Sequence, residues 1–352
     1  MSFVPPRCPN PSCGEHASPK PGFFRRWGTY HPACRNEGVP RFRCRTCHRT
    51  FSRQTFRHDY RDRRPHDNGR LFWLLVSGVG LRQAGRVLEM GVRAVQQKKR
   101  KMAATLAHLH ENMSPHLPAD RHWLLDEEET YEGASIRPLT MPVLIERETW
   151  FVVATAVGSI RRLAAPGSAR RRRQARDERR RFRPDQSRVC VERVLRSLAR
   201  RVATGNVCLL TDQKTSYATV AKTVFEGRLV HSTTAGTLIR ATHNPLFPIN
   251  TTLAMTRDNC GRLRRRSWLV TKRADCLQEH LHIFVVYRNY VRRRFNRDAP
   301  TVTAARLLGL LPRNLQVAEV LAWRQDWGDH SIHPMSLHAG DTVRTRMEPE
   351  AG

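Results

Sequence analysis

The sequence predicts a multidomain α/β protein with a small cysteine-containing module, a helical module and a larger mixed sheet. Three observations predict this class. Two close cysteine pairs lie near the amino terminus, helical periodicity runs over residues 68–106, and short apolar runs alternate with a helical stretch after residue 122. The chain of 352 residues is long enough for roughly two or three domains. We expect segment boundaries at 1–62, 63–108, 109–121, 122–298 and 299–352.

Basic residues dominate the charge of the chain. It contains 62 Lys and Arg against 31 Asp and Glu, which gives a formal net charge of +31 and a pI near 11.3. Such a surface favours a polyanionic partner such as nucleic acid. No stretch approaches the roughly 18 consecutive apolar residues of a membrane-spanning helix, and the first residues lack a signal-peptide pattern. We therefore expect a soluble, cytoplasmic protein with no membrane partner.

The amino-terminal cysteines have the spacing of a zinc ribbon. Cys8 and Cys13 form one close pair, and Cys44 and Cys47 form the other. Four thiolates at this spacing suit one tetrahedral zinc ion, which typically contributes ~10 to 16 kcal/mol to the folding of so small a segment. We expect residues 1–62 to be a zinc ribbon with one structural zinc. The alternative is four unrelated reduced cysteines. Two other residues are close enough to compete as ligands, Cys34 and His48.

Aromatic and basic residues alternate around the second cysteine pair. Phe42, Phe51 and Phe56 are interleaved with arginines between residues 41 and 57. This pattern favours strand residues packed beside the metal site, with arginines that face phosphate groups. We expect the zinc ribbon to anchor the protein on double-stranded DNA.

Residues 63–108 have the periodicity of a helix-turn-helix domain. Leu81, Ala84 and Leu88 recur at helical intervals, a turn follows at Gly91, and a further apolar stripe begins at residue 92. In this motif the second helix enters the major groove. Its candidate DNA-binding residues, which can reach base edges or phosphates, are Arg93, Gln96, Gln97, Lys99 and Arg100. The alternative is a three-helix packing unit that does not read DNA. Residues 109–121, with two prolines and no apolar period, are predicted to be a linker.

Residues 122–298 are predicted to form a mixed-sheet domain. Apolar runs at 123–125, 141–145 and 150–157 predict a three-strand meander, and helical spacing at 189–198 precedes a strand at 207–211. Asp126 closes the first of these strands and Asp212 closes the fourth. This order is ribonuclease-H-like, because neighbouring parallel strands then bring the two acids side by side. The arginine run at 170–183 is predicted to be a solvated, phosphate-attracting loop, with a partner-binding arm as the alternative.

Asp126 and Asp212 are the candidate catalytic metal ligands. Their hard oxygen atoms suit Mg or Mn better than zinc. Two such ions can activate a water or a 3′ hydroxyl and stabilise the leaving oxygen of an in-line phosphoryl displacement. Taken singly, an aspartate after a strand is more often a turn or helix cap, so the prediction depends on the pair. One of the three glutamates that follow Asp126 is a further candidate for the metal.

A third acid is expected from a helix near the carboxyl end of the sheet. The helix that begins near residue 249 carries Asp258 as its only carboxylate, with Arg265 seven residues later on the same side. Asn250 has Arg257 at the same spacing, although Asn250 is also a natural helix N-cap. We take Asp258 as the third catalytic residue, with Asn250 as the alternative. Arg262 and Arg265 are the arginines expected to bind DNA beside it.

Six segments spread over most of residues 8–290 carry a resemblance to a known family. They are Cys8-Pro-Asn-Pro-Ser-Cys13, Arg41-Phe-Arg-Cys-Arg-Thr-Cys47, Thr50-Phe-Ser52, Asp126-Glu-Glu-Glu-Thr130, Asn244-Pro-Leu-Phe-Pro-Ile-Asn250 and Arg262-Leu-Arg-Arg-Arg-Ser-Trp268. With them the chain resembles bacterial insertion-sequence transposases of the DDE class that carry an N-terminal zinc ribbon and helix-turn-helix. It departs from them at Asn250, where these transposases typically have a glutamate followed seven residues later by an arginine, here Arg257.

The resemblance implies a function. These transposases bind terminal inverted repeats, nick the element ends by hydrolysis and join the freed 3′ hydroxyls to target DNA. The resemblance further implies a homo-oligomer on DNA, associated with the bacterial nucleoid. Two alternatives remain: an element-derived DNA-binding protein or repressor whose catalytic fold has decayed, and a nuclease that cuts without joining. In residues 299–352 we expect one short apolar helix around residues 315–321, followed by a tail without assigned structure.

Overall fold

The computed structural model describes residues 4–31, 38–236, 238–239, 241–264 and 268–323. Within these residues the protein has a small antiparallel sheet, a larger mixed sheet and helices packed around it, which confirms the α/β class. The predicted DNA-binding residue Arg265 and the competing zinc ligand Cys34 lie outside the described residues. The predicted tail after residue 323 lies outside them as well.

The small sheet lies beside the amino-terminal cysteines. After a short helix α1 (Gly14–Ala17) come three antiparallel strands, β1 (Phe24–Tyr30), β2 (Val39–Cys44) and β3 (Thr50–Ser52), in the order β1-β2-β3. Phe51 pairs with Phe42 across the sheet and packs with Phe56 and the cysteines in a small apolar cluster. So few large apolar side chains bury little surface, and the segment gains little folding free energy from burial alone.

Three helices follow, α2 (Asn68–Val76), α3 (Leu81–Val87) and α4 (Val92–Met113). Gly85 permits the tight turn between α3 and α4, because a Cβ there would lie 2.7 Å from the carbonyl oxygen of Met90. Helix α4 continues over residues 109–113, which were predicted to belong to a linker. It does so because Leu109 and Met113 are buried in the core, and the two prolines come only after the helix ends.

The larger sheet has the strand order β6-β5-β4-β8-β9, with β7 paired to β5. Its strands are β4 (His122–Tyr131), β5 (Pro138–Glu146), β6 (Val152–Thr155), β7 (Gly158–Ser159), β8 (Val207–Asp212) and β9 (Leu229–Thr234). Strands β4, β5 and β6 form the predicted antiparallel meander, and β8 runs parallel to β4. The sequence does not predict β9, because no long apolar run marks it. In the structure, only Thr234 of this strand is buried.

Helices cover both faces of this sheet. On one face, α6 (Ser187–Arg201) and α7 (Thr215–Phe225) pack with Trp123 and Leu125 of β4. On the other, α8 (Phe247–Asn259) and α9 (Ala274–Val286) pack with Leu124 of β4 and Ile145 of β5. A π-helical turn (Tyr287–Val291) then leads to α10 (Ala304–Leu307) and α11 (Val317–Ala322), the latter near the predicted short helix. None of the helices described is long and apolar enough to span a membrane.

The arginine run forms a helix, α5 (Ala169–Arg180), and the prediction of a loop was wrong. The Ser168 hydroxyl caps its first turn by accepting the backbone N–H of Arg171 at 3.1 Å. Gln174, which is 4% exposed, provides the buried contact. Arginine is a good helix former, so the missing apolar stripe did not exclude a helix. The buried side chain of Gln174 takes the place of that apolar stripe.

Candidate functional site

The four cysteines predicted to bind zinc lie together. The sulfur atoms of Cys8, Cys13, Cys44 and Cys47 are all within 4.8 Å of one another. The Sγ atoms of Cys8 and Cys47 are 3.4 Å apart, and those of Cys13 and Cys44 are 3.9 Å apart. Thiolates about 2.3 Å from a tetrahedral zinc would be separated by ~3.8 Å. The cluster therefore fits a metal ion such as zinc.

The cysteines differ in how readily they ionise. Burial raises the pKa of Cys8 and of Cys13. Burial acts in the same direction on Cys47, but hydrogen bonds from the Arg49 backbone N–H and from neighbouring side chains lower its pKa to about 7. In the absence of a metal, the thiol of Cys47 therefore ionises more readily than those of Cys8 and Cys13.

Asp126 and Asp212 lie on adjacent parallel strands at equivalent positions. Strands β4 and β8 pair Leu124 with Leu210, and each aspartate follows two residues after that pair. Leu124 and Leu210 both contact the apolar cluster under α8 and α9, so the two-residue period of a strand puts both aspartates on this same face. Neighbouring strands are ~4.8 Å apart. The fold thus brings the backbones of the two predicted acids close together.

The position of Asp126 within its strand differs from the prediction. β4 continues to Tyr131 in pairing with β5, so Asp126 lies inside the strand and not at its end. Asp212 is the last residue of β8, as predicted. One carboxylate oxygen of each acid is oriented by the main chain: Asp126 Oδ1 accepts the Glu127 N–H at 2.7 Å, and Asp212 Oδ1 accepts the Lys214 N–H at 2.9 Å.

The charges of both aspartates affect the pKa of Tyr217, which lies on the opposite face of the sheet. Lys214 forms an ion pair with Glu127, and the buried Tyr217 of α7 is hydrogen-bonded to the same glutamate. Burial raises the pKa of Tyr217. Three carboxylates raise it further, those of Glu127, Asp126 and Asp212. The acids therefore share one electrostatic environment at the junction of β4 and β8.

Asp258, the predicted third acid, is exposed at the carboxyl end of α8. A Cβ on Gly78, in the turn after α2, would lie 2.8 Å from the Asp258 carbonyl oxygen. Arg257 forms an ion pair with Glu128 of β4, and the next helical position is rotated by roughly 100° from it, so Asp258 faces away from that contact. Within the described ranges, the four cysteines are the only group of three or more potential ligands within 4.8 Å of one another. Neither Asp258 nor any glutamate of β4 therefore forms such a group with the two aspartates in the described residues.

Glu128 is the acid near the pair that the sequence did not single out from its two neighbours. It lies two residues after Asp126, on the same face of β4, and is 4% exposed. The sequence signal for Glu128 is the alternation along β4, which becomes visible once the three glutamates are taken as a continuation of the strand.

Asn250 precedes Arg257 by seven residues, so both lie on one side of α8.

Helix α4 divides the predicted DNA-binding residues between two sides. Arg93, Gln97 and Arg100 are exposed, and their spacing puts them on one side of the helix. We call these three residues the α4 stripe. Its guanidinium and amide groups are the donors that contact guanine, adenine and phosphates in DNA grooves.

Of the other two predicted DNA contacts on α4, Lys99 is fully buried, so its prediction was wrong, and Gln96 is half-buried against α9. The amide nitrogen of Gln96 lies 3.2 Å from the sulfur of Cys276 on α9. The Nζ atom of Lys99 donates to the carbonyl oxygen of Cys276 at 2.9 Å and lies 2.5 Å from a carboxylate oxygen of Glu279, with a fully buried side chain. Burial, followed by the charge of Arg262, lowers the pKa of Lys99.

Arg262 is also turned inward, contrary to its predicted role. Burial lowers the pKa of its guanidinium, and its Nε atom is buried without a hydrogen-bond partner among the residues that the structure describes. Lys99 and Glu279 are among the charges that it senses. Arg262 therefore belongs to the packing between α4, α9 and the turn after α8.

Comparison of the chain with protein-family models found no matching family, and comparison with curated proteins found no match. The functional proposal therefore rests on the geometry and chemistry of the residues of this chain.

Proposed function

We propose that this protein is a DNA transposase that binds the inverted repeats at the ends of a DNA element, as a homo-oligomer, and catalyses metal-dependent strand cleavage and transfer. The observation that carries the proposal is the equivalent register of Asp126 and Asp212 on two adjacent parallel strands. The order of strands around them, with α6 between the meander and β8, is the order expected of a ribonuclease-H-like domain.

Asp126 and Asp212 are the residues that would hold Mg or Mn, because carboxylate oxygens are the ligands that both ions prefer. Bound there, the ion would supply activation of a water or 3′ hydroxyl and stabilisation of the leaving oxygen. The backbone N–H groups of Glu127 and Lys214 orient the two carboxylates. We take Glu128 as the candidate third carboxylate in place of Asp258, because Glu128 is buried on the face that Asp126 occupies.

The basic surface supports DNA as the substrate. The net charge of +31 favours a polyanion, and the α4 stripe offers side chains suited to base edges. The cysteine cluster fits a structural zinc that would hold the small sheet as a zinc ribbon. Binding and chemistry would then reside in different parts of the chain.

A nicking and strand-transfer assay tests this proposal, with plasmid DNA that carries the sequences flanking the gene. We expect the wild type to nick this DNA with Mg or Mn and to join the ends to a second plasmid. Asp126→Asn and Asp212→Asn should abolish cleavage and retain duplex binding, because asparagine keeps the side-chain size and removes the charge. Asp120→Asn is the matched control, since the side chain of Asp120 is 82% exposed and should be dispensable. Undiminished cleavage by both site variants would refute the proposal.

A DNA-binding protein or repressor with a decayed catalytic fold is the second candidate. It is favoured by Asn250, which lacks a carboxylate at the position where the resembling transposases have a glutamate, and by the outward direction of Asp258. Such a protein would bind element ends and show no metal-dependent cleavage. A nuclease of the same fold would nick the plasmid that carries the flanking sequences but would fail in the strand-transfer arm of the assay.

A further inference from the structure

Helix α5 is attached to the protein along one side. The Gln174 side chain accepts the backbone N–H of Ala164 at 2.9 Å and donates to the carbonyl oxygen of Arg162 at 2.8 Å. Ion pairs add to the attachment, joining Asp177 to Arg137 and Glu178 to Arg161. The helix is therefore held in place by contacts to the connection between β4 and β5 and to the loop after β7.

The opposite side of α5 carries arginines. At roughly 100° per residue, five of them fall within about a third of the helix circumference. These exposed residues, which we call the α5 arc, are Arg172, Arg173, Arg176, Arg179 and Arg180. The acids of α5, Asp177 and Glu178, both point to the attached side, so the positive charge of the arc is not offset within its own face.

The arc concentrates like charges at helical contact distances. Arg176 has another arginine of the arc three or four residues away in both directions, and like charges at this spacing destabilise a helix. The buried Gln174 and the two ion pairs hold the helix against this repulsion. A bound polyanion would remove the repulsion, so binding and helix stability should be coupled.

Helix α5 is connected to the part of the chain that follows Asp126. Arg162, which precedes α5, forms an ion pair with Glu129. Arg183, which follows α5, lies 2.6 Å from a carboxylate oxygen of Glu132. These glutamates come three and six residues after Asp126, which corresponds to about 10 and 20 Å along an extended chain. The segments on both sides of α5 are therefore tied to the last part of β4 and to the turn that follows it.

The chemistry of the arc favours a nucleic-acid duplex over a membrane surface. A helix that lies in a membrane interface needs an apolar face, and the uncharged residues of α5 are Ala169, Gln174 and Ala175. A helix of 12 residues is about 18 Å long, and duplex DNA carries one negative charge per ~1.7 Å of its axis. The arc can therefore face several phosphates at once.

We propose that the α5 arc is a second DNA-binding surface, which holds backbone phosphates of duplex DNA independently of the α4 stripe. This inference rests on the proposed function in taking DNA as the polyanion. It assigns the arc a sequence-independent role, because guanidinium contacts to phosphates carry no base information.

The test replaces Arg173, Arg176 and Arg180 with glutamine in the full chain. The matched control replaces Arg188, Arg196 and Arg200 with glutamine. These arginines are exposed on α6, and their replacement removes the same amount of charge. Affinity for a 30-base-pair duplex of arbitrary sequence is measured over a range of KCl concentrations without Mg or Mn. Three lost phosphate contacts should reduce the slope of log affinity against log salt by about 2 to 3, with at least about tenfold weaker binding at low salt. The control should retain nearly the wild-type slope.

Hydrogen exchange provides a second readout. Duplex DNA should slow amide exchange in residues 169–181 of the wild type, because phosphates relieve the repulsion within the arc. Equal losses in the α5 and α6 variants would mean that bulk charge alone matters and would overturn the proposal. The proposal would also be overturned if the wild type did not bind duplex DNA. A third contrary outcome is an α5 variant that loses binding to anionic phosphatidylserine vesicles and keeps its affinity for DNA. Because no divalent ion is present, a wild type that fails to cleave DNA leaves this result unaffected.

Discussion

Arg257 of α8 forms an ion pair with Glu128 of β4, and this contact joins the helix of Asn250 and Asp258 to the strand of Asp126. The Glu128 side chain is 5% exposed, whereas that of Arg257 is 36% exposed. The carboxylate is therefore buried against the sheet, while the guanidinium reaches solvent. The buried side of α8 carries Ile249, Leu253 and Thr256, and Asp258 lies outside it.

Glu128→Gln should reduce metal-dependent cleavage more strongly than Asp258→Asn. The physical reason is that Glu128 shares the buried face of Asp126, whereas Asp258 is exposed. Glutamine also weakens the ion pair with Arg257, and we expect unfolding free energy to fall by about 1 to 3 kcal/mol. Cleavage rates and urea unfolding of both variants measure these effects. A larger loss of cleavage in Asp258→Asn would restore Asp258 as the third acid.

Cys44→Ser should release the metal and disorganise the small sheet. Three remaining thiolates bind zinc more weakly than four, and the segment depends on the metal for much of its folding free energy. Zinc quantification should show well below one ion per chain, and a gel shift should show weaker DNA binding. Cys208→Ser is the control, because Cys208 lies half-buried on β8, outside the cluster. Full zinc content in Cys44→Ser would contradict a four-cysteine site.

Lys99 and Arg93 should separate stability from DNA binding. Lys99→Met leaves the Glu279 carboxylate without its buried partner, and we expect a loss of about 1 to 3 kcal/mol in unfolding free energy with DNA affinity of the folded protein unchanged. Arg93→Gln should leave stability unchanged and weaken DNA binding by about tenfold, the scale of one base contact. Thermal unfolding and fluorescence anisotropy measure the two quantities. Weaker DNA binding by a fully folded Lys99→Met protein would reinstate Lys99 as a DNA contact.

Acid should destabilise the fold through two buried histidines. His110 Nε2 donates to the Val153 carbonyl at 2.9 Å, and its Nδ1 accepts the Tyr290 hydroxyl at 2.8 Å, which fixes a neutral ring. Burial lowers the pKa of His110, and likewise that of His280, to about 3. An unfolded histidine titrates near ~6.5. Between these values the unfolded chain binds more protons, so stability is complete above about pH 6.5 and falls as the pH decreases toward about 3.

The expected loss is up to about 1.4 kcal/mol per pH unit for each histidine. Urea unfolding at about pH 7, 6 and 5 measures it. His110→Gln keeps hydrogen-bonding groups and removes one titration, so the variant should show a shallower dependence on pH. An identical pH dependence in the variant and the wild type would show that His110 does not contribute.

Strands β4, β5, β6 and β8 were predictable because apolar runs mark buried strands directly. Leu124 and Leu210 lie in such runs, and each is followed two residues later by an aspartate. The direction of helical side chains was harder to predict. Lys99 and Arg100 are adjacent cations, and only the packing of α4 on α9 decides that Lys99 is buried against Glu279. That contact joins residues 180 positions apart in the chain (279 − 99 = 180), beyond the reach of local periodicity.

Helix α5 and the outward direction of Asp258 were missed for related reasons. Gln174 supplies the buried contact of α5, and a lone glutamine among arginines gives no apolar signal. For Asp258 the helix itself was predicted, but the side chains of that helix that face the sheet are decided by its packing on the core. Sequence spacing identifies residues that share a side of a helix, and tertiary contacts select which side is buried.

The packing of α4 on α9 has a mechanical consequence. Lys99 and Gln96 join the helix that presents the α4 stripe to α9, and α9 lies directly on the sheet that carries Asp126. Under the proposed function, the α4 stripe that binds DNA and the aspartates that cleave it then move as one rigid unit. The protein would therefore fix the number of base pairs between the sequence that it recognises and the phosphodiester that it cleaves. A different spacing would require the DNA to bend.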